Sequence, residues 1–165
     1  MATRPTIEER VRTGFPIVHV AKRQYWIQLA DFSAKDYPPV DLLEAERLLT
    51  SYDWQTALAF KRALARSRGE ESGDYCMPGI GFVTDDGRLL HICPTDDGTA
   101  LCTYFLTFDF NDAARKGFET LDSSKRLWSK FLPLVHQYRA LQLFYRDDFD
   151  GLIRLIDEYD DGSFP

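Results

Sequence analysis

Cysteine is scarce in this chain. Cys76, Cys93 and Cys102 are the three present, an odd number spread through 165 residues. That density does not build a disulfide scaffold, and a reducing compartment is the simplest home for such thiols. No C-x-x-C pair occurs. Long apolar runs are missing as well. TALCTYFLTF, at 99–108, has ten residues, about half of what a membrane helix requires. The opening MATRPTIEERVR has neither an apolar stretch nor a cleavage pattern, so no signal peptide is expected. A cytoplasmic protein with no membrane partner is the resulting expectation. The aromatic residues are not interleaved with a basic stripe, which argues against nucleic acid as a partner. GIG at 79–81 lacks the glycine pattern and the lysine of a phosphate loop. No motif calls for a cofactor.

What the chain has instead is an uneven charge. The net charge is −6. Residues 147–165 contain seven acids and one base, which gives −6; the other 146 residues contain nineteen of each sign, which gives zero. The whole imbalance therefore sits near the C-terminus. Such a local field repels polyanions and favours a basic partner.

The length suits one domain over 1–165, with 157–165 read as an acidic tail that has the mobility of a chain end. Residues 6–12 read as a short helix capped by Thr6. FPIVHVAKRQYWIQLADF reads as one or two strands from its β-branched and aromatic content. YPPVD stops what precedes it, because proline lacks a donor. Asp41 and Asp53 are candidate N-caps of two helices, LLEAERLL and the amphipathic run from Trp54 through Leu64. Strand-like segments then alternate with turn signals. GIGFVT, RLLHIC and TALCTYFLTF are separated by TDDG at 84–87 and again at 95–98. Aspartate and glycine accept positive φ, so each TDDG predicts a hairpin turn rather than a ligand loop. The third strand is apolar on both sides, as a strand inside a sheet would be. KRLWSKFLPLVHQYRALQLFY has apolar spacing near a helical period, and Pro133 should kink or divide it. DFDGLIRLIDEY predicts a last short helix. The fold class is α+β: a three-stranded or larger antiparallel sheet, with a meander over 80–108, packed with several helices.

Two constellations could carry chemistry. His91 and Cys93 share a face of their strand. If the 95–98 turn sets Cys93 opposite Ala100, His91 lies opposite Cys102. That pair could serve as base and nucleophile, or with Cys76 as a soft metal site. Its neighbours Leu89 and Tyr104 are apolar or aromatic, which fits a core histidine and a buried thiol better. The second constellation is YRDDFDGLIRLIDEYDDG. An EF-hand register with Gly151 at loop position 6 puts Asp148, Asp150 and Asp157 at ligand positions, but it puts Arg146 at the first, where a cation repels the ion. Neither reading supports a metal.

A non-catalytic protein-binding role follows best from the charge. An inhibitor or immunity-type protein that neutralises a basic toxin or effector is one such role. Its binding residues would be Tyr145, Asp147, Asp148, Phe149, Asp150, Asp157, Glu158, Tyr159, Asp160 and Asp161, with rings supplying contact area and acids supplying steering. The alternatives are a small intracellular enzyme using His91 and Cys102, and a structural adaptor subunit.

Overall fold

The computed structural model describes residues 21–69, 74–109, 115–116 and 127–158. Six antiparallel strands form one sheet in the order β2-β1-β3-β4-β5-β6. They are β1 (Lys22–Gln28), β2 (Ala34–Asp41), β3 (Gly79–Val83), β4 (Leu89–Pro94), β5 (Leu101–Leu106) and β6 (Leu127–Leu132). Four helices accompany them: α1 (Leu42–Ser51), α2 (Trp54–Arg68), α3 (Leu134–Tyr145) and α4 (Phe149–Glu158). The expected helix at 6–12 lies outside the described residues.

The meander over 80–108 is formed by β3, β4 and β5, and both TDDG segments are its turns. Each turn is built the same way. Thr84 N–H donates to the Arg88 carbonyl and Gly87 N–H to the Thr84 carbonyl; Thr95 N–H donates to the Ala100 carbonyl and Gly98 N–H to the Thr95 carbonyl. Gly87 and Gly98 take φ of 85° and 73°, which a side chain would disfavour. The second turn is one residue longer, with Thr99 before the paired Ala100, and the Asp97 carboxylate accepts the Thr99 N–H. The register is two residues from the expected one. Cys93 faces Cys102 and His91 faces Tyr104.

Two further expectations are corrected. Leu127–Leu132 is a strand, not the first half of a helix. Its apolar residues fit either period, and pairing with β5 along its whole length decides for strand. Pro133 then stands immediately before α3, where a missing N–H costs nothing. Pro38 and Pro39 do not end a segment either; they lie within β2. β2 is at the edge of the sheet, and the pairing slips between Arg23 and Tyr25 opposite these prolines, so their lost donors interrupt no inner ladder.

One face of the sheet makes the core. Tyr25, Ile80, Phe82, Leu90, Phe105 and Leu132 point to it and meet Ala45 of α1, Ala140, Leu141 and Phe144 of α3, and Leu152 and Ile156 of α4. Full burial of rings such as Phe82, Phe105 and Phe144 is worth about 2–3 kcal/mol each. A buried glutamine fixes α3 to the sheet: Gln137 Nε2 donates to the carbonyls of Leu101 (2.9 Å) and Leu132 (3.1 Å), and Thr103 donates to its Oε1. Asp41 and Asp53 cap α1 and α2 by accepting from Glu44 N–H and Thr56 N–H. α2 lies against the second turn, where Lys61 pairs with Asp96 and a Cβ on Gly98 would come within 2.9 Å of Leu58. Among the described residues no helix is long and apolar enough to cross a membrane.

Candidate functional site

The acids singled out in the sequence divide into those used by the fold and those that are not. Asp147 sits at φ 57°, just beyond α3, and its Oδ1 accepts from Arg23 Nη2 at 2.5 Å. Arg23 is buried, so this pair anchors the α3–α4 corner to β1. Asp148 caps α4: its Oδ1 accepts the Gly151 N–H at 2.9 Å. Gly151 is therefore in the first turn of a helix, not at the bend of an EF-hand loop. Asp157 accepts from Trp128 Nε1 at 3.1 Å. Asp150 and Glu158 are exposed. Tyr159, Asp160 and Asp161 lie outside the described residues.

Of the three rings expected to contact a partner, the two that are described, Tyr145 and Phe149, face inward. Tyr145 is 4% exposed and donates its hydroxyl to the Val40 carbonyl at 3.0 Å. Burial raises its pKa further above the phenol range. Phe149 stacks on Phe105, with centroids 5.6 Å apart, and meets Phe144 edge-on. The helical spacing of the sequence put Tyr145 and Phe149 among core positions as well as beside acids, and the core has claimed them.

The corner also gathers residues that are distant in sequence. The Arg88 guanidinium lies 4.3 Å from the centroid of the Phe149 ring, within cation–π range, and pairs with Asp86 at 3.4 Å. The first TDDG turn is thereby brought beside α4. A hollow of about 480 Å³ is lined by Arg88, Asp147, Asp148, Phe149 and Asp150. Asp109 adjoins the same turn, since a Cβ on Gly87 would meet it at 2.8 Å. Hydrogen bonding from Thr84 lowers the Asp86 pKa; burial opposes it, and the Arg88 charge adds a smaller lowering. Asp85, Asp86, Asp109, Asp147, Asp148 and Asp150 thus share one end of the sheet with Arg23, Arg88 and Arg146. Sequence reasoning found the α4 acids but missed the turn, because nothing local announces which helix a hairpin will touch.

The histidine and cysteines occupy the sheet face opposite the core. Cys93 and Cys102 are each 4% exposed. Burial, and next the neighbouring Cys102 thiol, pushes Cys93 up to about 12. Burial raises Cys102 as well. A nucleophilic cysteine needs the opposite shift. Burial alone holds His91 down at about 4, and its Nε2 is buried without a hydrogen-bond partner. The imidazole therefore neither touches Cys102 across the register nor is oriented as a base. Cys76 stands apart, with its thiol donating to the Leu29 carbonyl. Among the described residues no three metal-binding side chains converge.

No family model, no curated protein and no solved structure matches this chain.

Proposed function

We propose that this is a non-catalytic protein-binding protein that engages a basic surface through the acidic corner, as an inhibitor or immunity-type protein covering a basic toxin or effector would. One observation carries the reading. Three separate segments, the 84–88 turn, the end of β5 and the α3–α4 corner, bring their carboxylates to one end of the sheet around Arg88 and Phe149. Asp85 and Asp150 are exposed there, and among the described residues neither caps a helix nor pairs with a base. Carboxylates of this kind steer a basic partner and fix its register. The raised thiol pKa values and the unpartnered histidine lend nothing to the enzyme alternative.

The test uses the double variant Asp85→Lys, Asp150→Lys, which leaves Asp148 and Asp147 to hold the corner. Native and variant proteins are immobilised and exposed to lysate of the source organism at low salt and at about 0.5 M salt, where screening is short-ranged. The expected result is a basic protein held by the native chain at low salt, and lost both in the variant and at high salt. Identical retention by native and variant proteins at low salt would refute the acidic corner as the docking surface.

A further inference from the structure

The face that carries the core is covered by α1, α3 and α4, and the second face is the opposite one. One register row crosses that second face through all six strands. Asp36 pairs with Trp26, Trp26 with Gly81, Gly81 with His91, His91 with Tyr104, and Tyr104 with Ser129. Cross-strand partners project to the same side of a sheet, so these six residues stand in a line. The glycine in the middle shapes it. A Cβ on Gly81 would fall 1.9 Å from Trp26 Cζ2, and one on Gly79 would fall 2.3 Å from His91 Nε2. Both rings therefore lie down onto β3 in space that any larger residue would fill. Their planes are within 6° of parallel, with centroids 6.0 Å apart. Tyr104 follows at 6.3 Å, tilted by 37°. The result is a flat aromatic floor with one raised side, inside a cavity of about 740 Å³. Ligand sites commonly have this size and this aromatic lining.

Charge selects the occupant. The described lining contains the carboxylates of Asp36 and Asp109, the amides of Gln24 and Gln28, and no lysine or arginine. Asp36 is exposed and in no ion pair among the described residues. Aromatic faces are themselves negative. His91 adds no opposing charge, because its Nε2 is packed against Gly79 without a partner and its ring stays neutral. Anions and phosphates are disfavoured here. A primary ammonium is less well served, since its three donors need acceptors and over the floor they would meet ring faces instead. An alkylated ammonium has no N–H to satisfy and sheds its water readily.

We propose that the Asp36–Trp26–Gly81–His91–Tyr104 row is a binding site for a small quaternary-ammonium compound, its cationic head over the Trp26 ring and Asp36, the strand neighbour of Trp26, as the counter-charge. The cavity meets the acidic corner at Asp109, but Asp36, Trp26, His91 and Tyr104 take no part in that corner, and the proposal does not depend on it.

The experiment compares choline with its uncharged isostere 3,3-dimethylbutan-1-ol, by calorimetry and ligand-observed NMR on the whole chain. Choline should bind at least about tenfold more tightly than the alcohol, as one cation–π contact plus one counter-charge permits. Asp36→Asn, a change at an exposed edge-strand position, should weaken choline by about threefold to tenfold and leave the alcohol unchanged. Trp26→Leu should abolish both, and circular dichroism shows whether that variant is folded; if it is not, Asp36→Asn alone decides. Equal binding of the two compounds, choline affinity indifferent to Asp36→Asn, or no saturation by about 50 mM choline, weaker than a millimolar site, would each overturn the proposal.

Discussion

Acid should find this protein at His91 before it finds the carboxylates. The ring is pressed onto Gly79 with Nε2 out of reach of water and unpaired, so the folded state resists its protonation and its pKa falls to about 4. In the unfolded chain the imidazole titrates near 6.5. The unfolded state therefore takes up the proton first, and stability falls with pH. The contribution is intact above about pH 6.5; about 2 kcal/mol of it is gone at pH 5, and about 3 kcal/mol by pH 4, where the folded form begins to protonate too. Depressed carboxylates such as Asp97, held near 2 by hydrogen bonds from Thr95 and Thr99, add their own acid sensitivity. His91→Phe separates the two, since it keeps a ring on the glycine floor and removes the titration. Urea unfolding followed by far-ultraviolet circular dichroism gives the stability of both proteins at pH 7 and pH 5. The native protein should lose about 2 kcal/mol more than the variant over that interval. Equal losses would mean that His91 is hydrated in the folded state, and the reasoning on the floor would fail with it.

Two other perturbations test the same face. Gly81→Ala forces a Cβ into the space of the Trp26 ring and should cost about 1–3 kcal/mol in the same urea measurement; a neutral substitution would show the ring free to lift. Alkylation with iodoacetamide, timed by mass spectrometry, should label Cys76 first, because Cys93 and Cys102 are buried with raised pKa values; simultaneous labelling of all three would contradict the burial.

Where local chemistry decided the structure, the sequence was legible. The TDDG turns, the Asp41 and Asp53 caps and the helices after them depend on contacts within a few residues, and the structure has them. Where a distant partner decided, the pattern was ambiguous. LWSKFL fits a helical or a strand period, and only β5 alongside resolves it. The two-residue register difference comes from a four-residue turn, 96–99, between the paired Thr95 and Ala100, where the sequence alone predicts two. Such a shift keeps every side chain on its face and changes only its neighbour. His91 therefore kept the face-mates expected for it, Leu89, Cys93 and Tyr104, but it is not the satisfied core histidine expected: that face lies opposite the core, its Nε2 has no partner among the described residues, and its cross-strand neighbour is Tyr104 rather than Cys102. GIG was legible too, in hindsight. Alternate glycines in a strand signal close approach by something, and here it is Trp26 and His91.

The C-terminal charge shows how a composition signal can be real and yet misplaced. Its seven acids were counted together because they are neighbours in sequence. In three dimensions the described ones part company. Asp147 holds a buried arginine, Asp148 starts a helix, and Asp157 holds an indole. A carboxylate committed to such a bond is still charged, but it cannot be reversed without cost to the fold, so a binding test aimed at it confuses stability with recognition. Asp150 carries no such duty, and neither does Asp85, which the sequence placed in an unrelated turn. The surface left for a partner is therefore defined by subtraction. It is the charge that remains after capping and pairing have taken their share, and it is drawn from segments more than sixty residues apart. A partner that selects this protein by charge must read that remainder, which is why Asp85 and Asp150, rather than the acids of the tail taken as a block, are the informative pair to reverse.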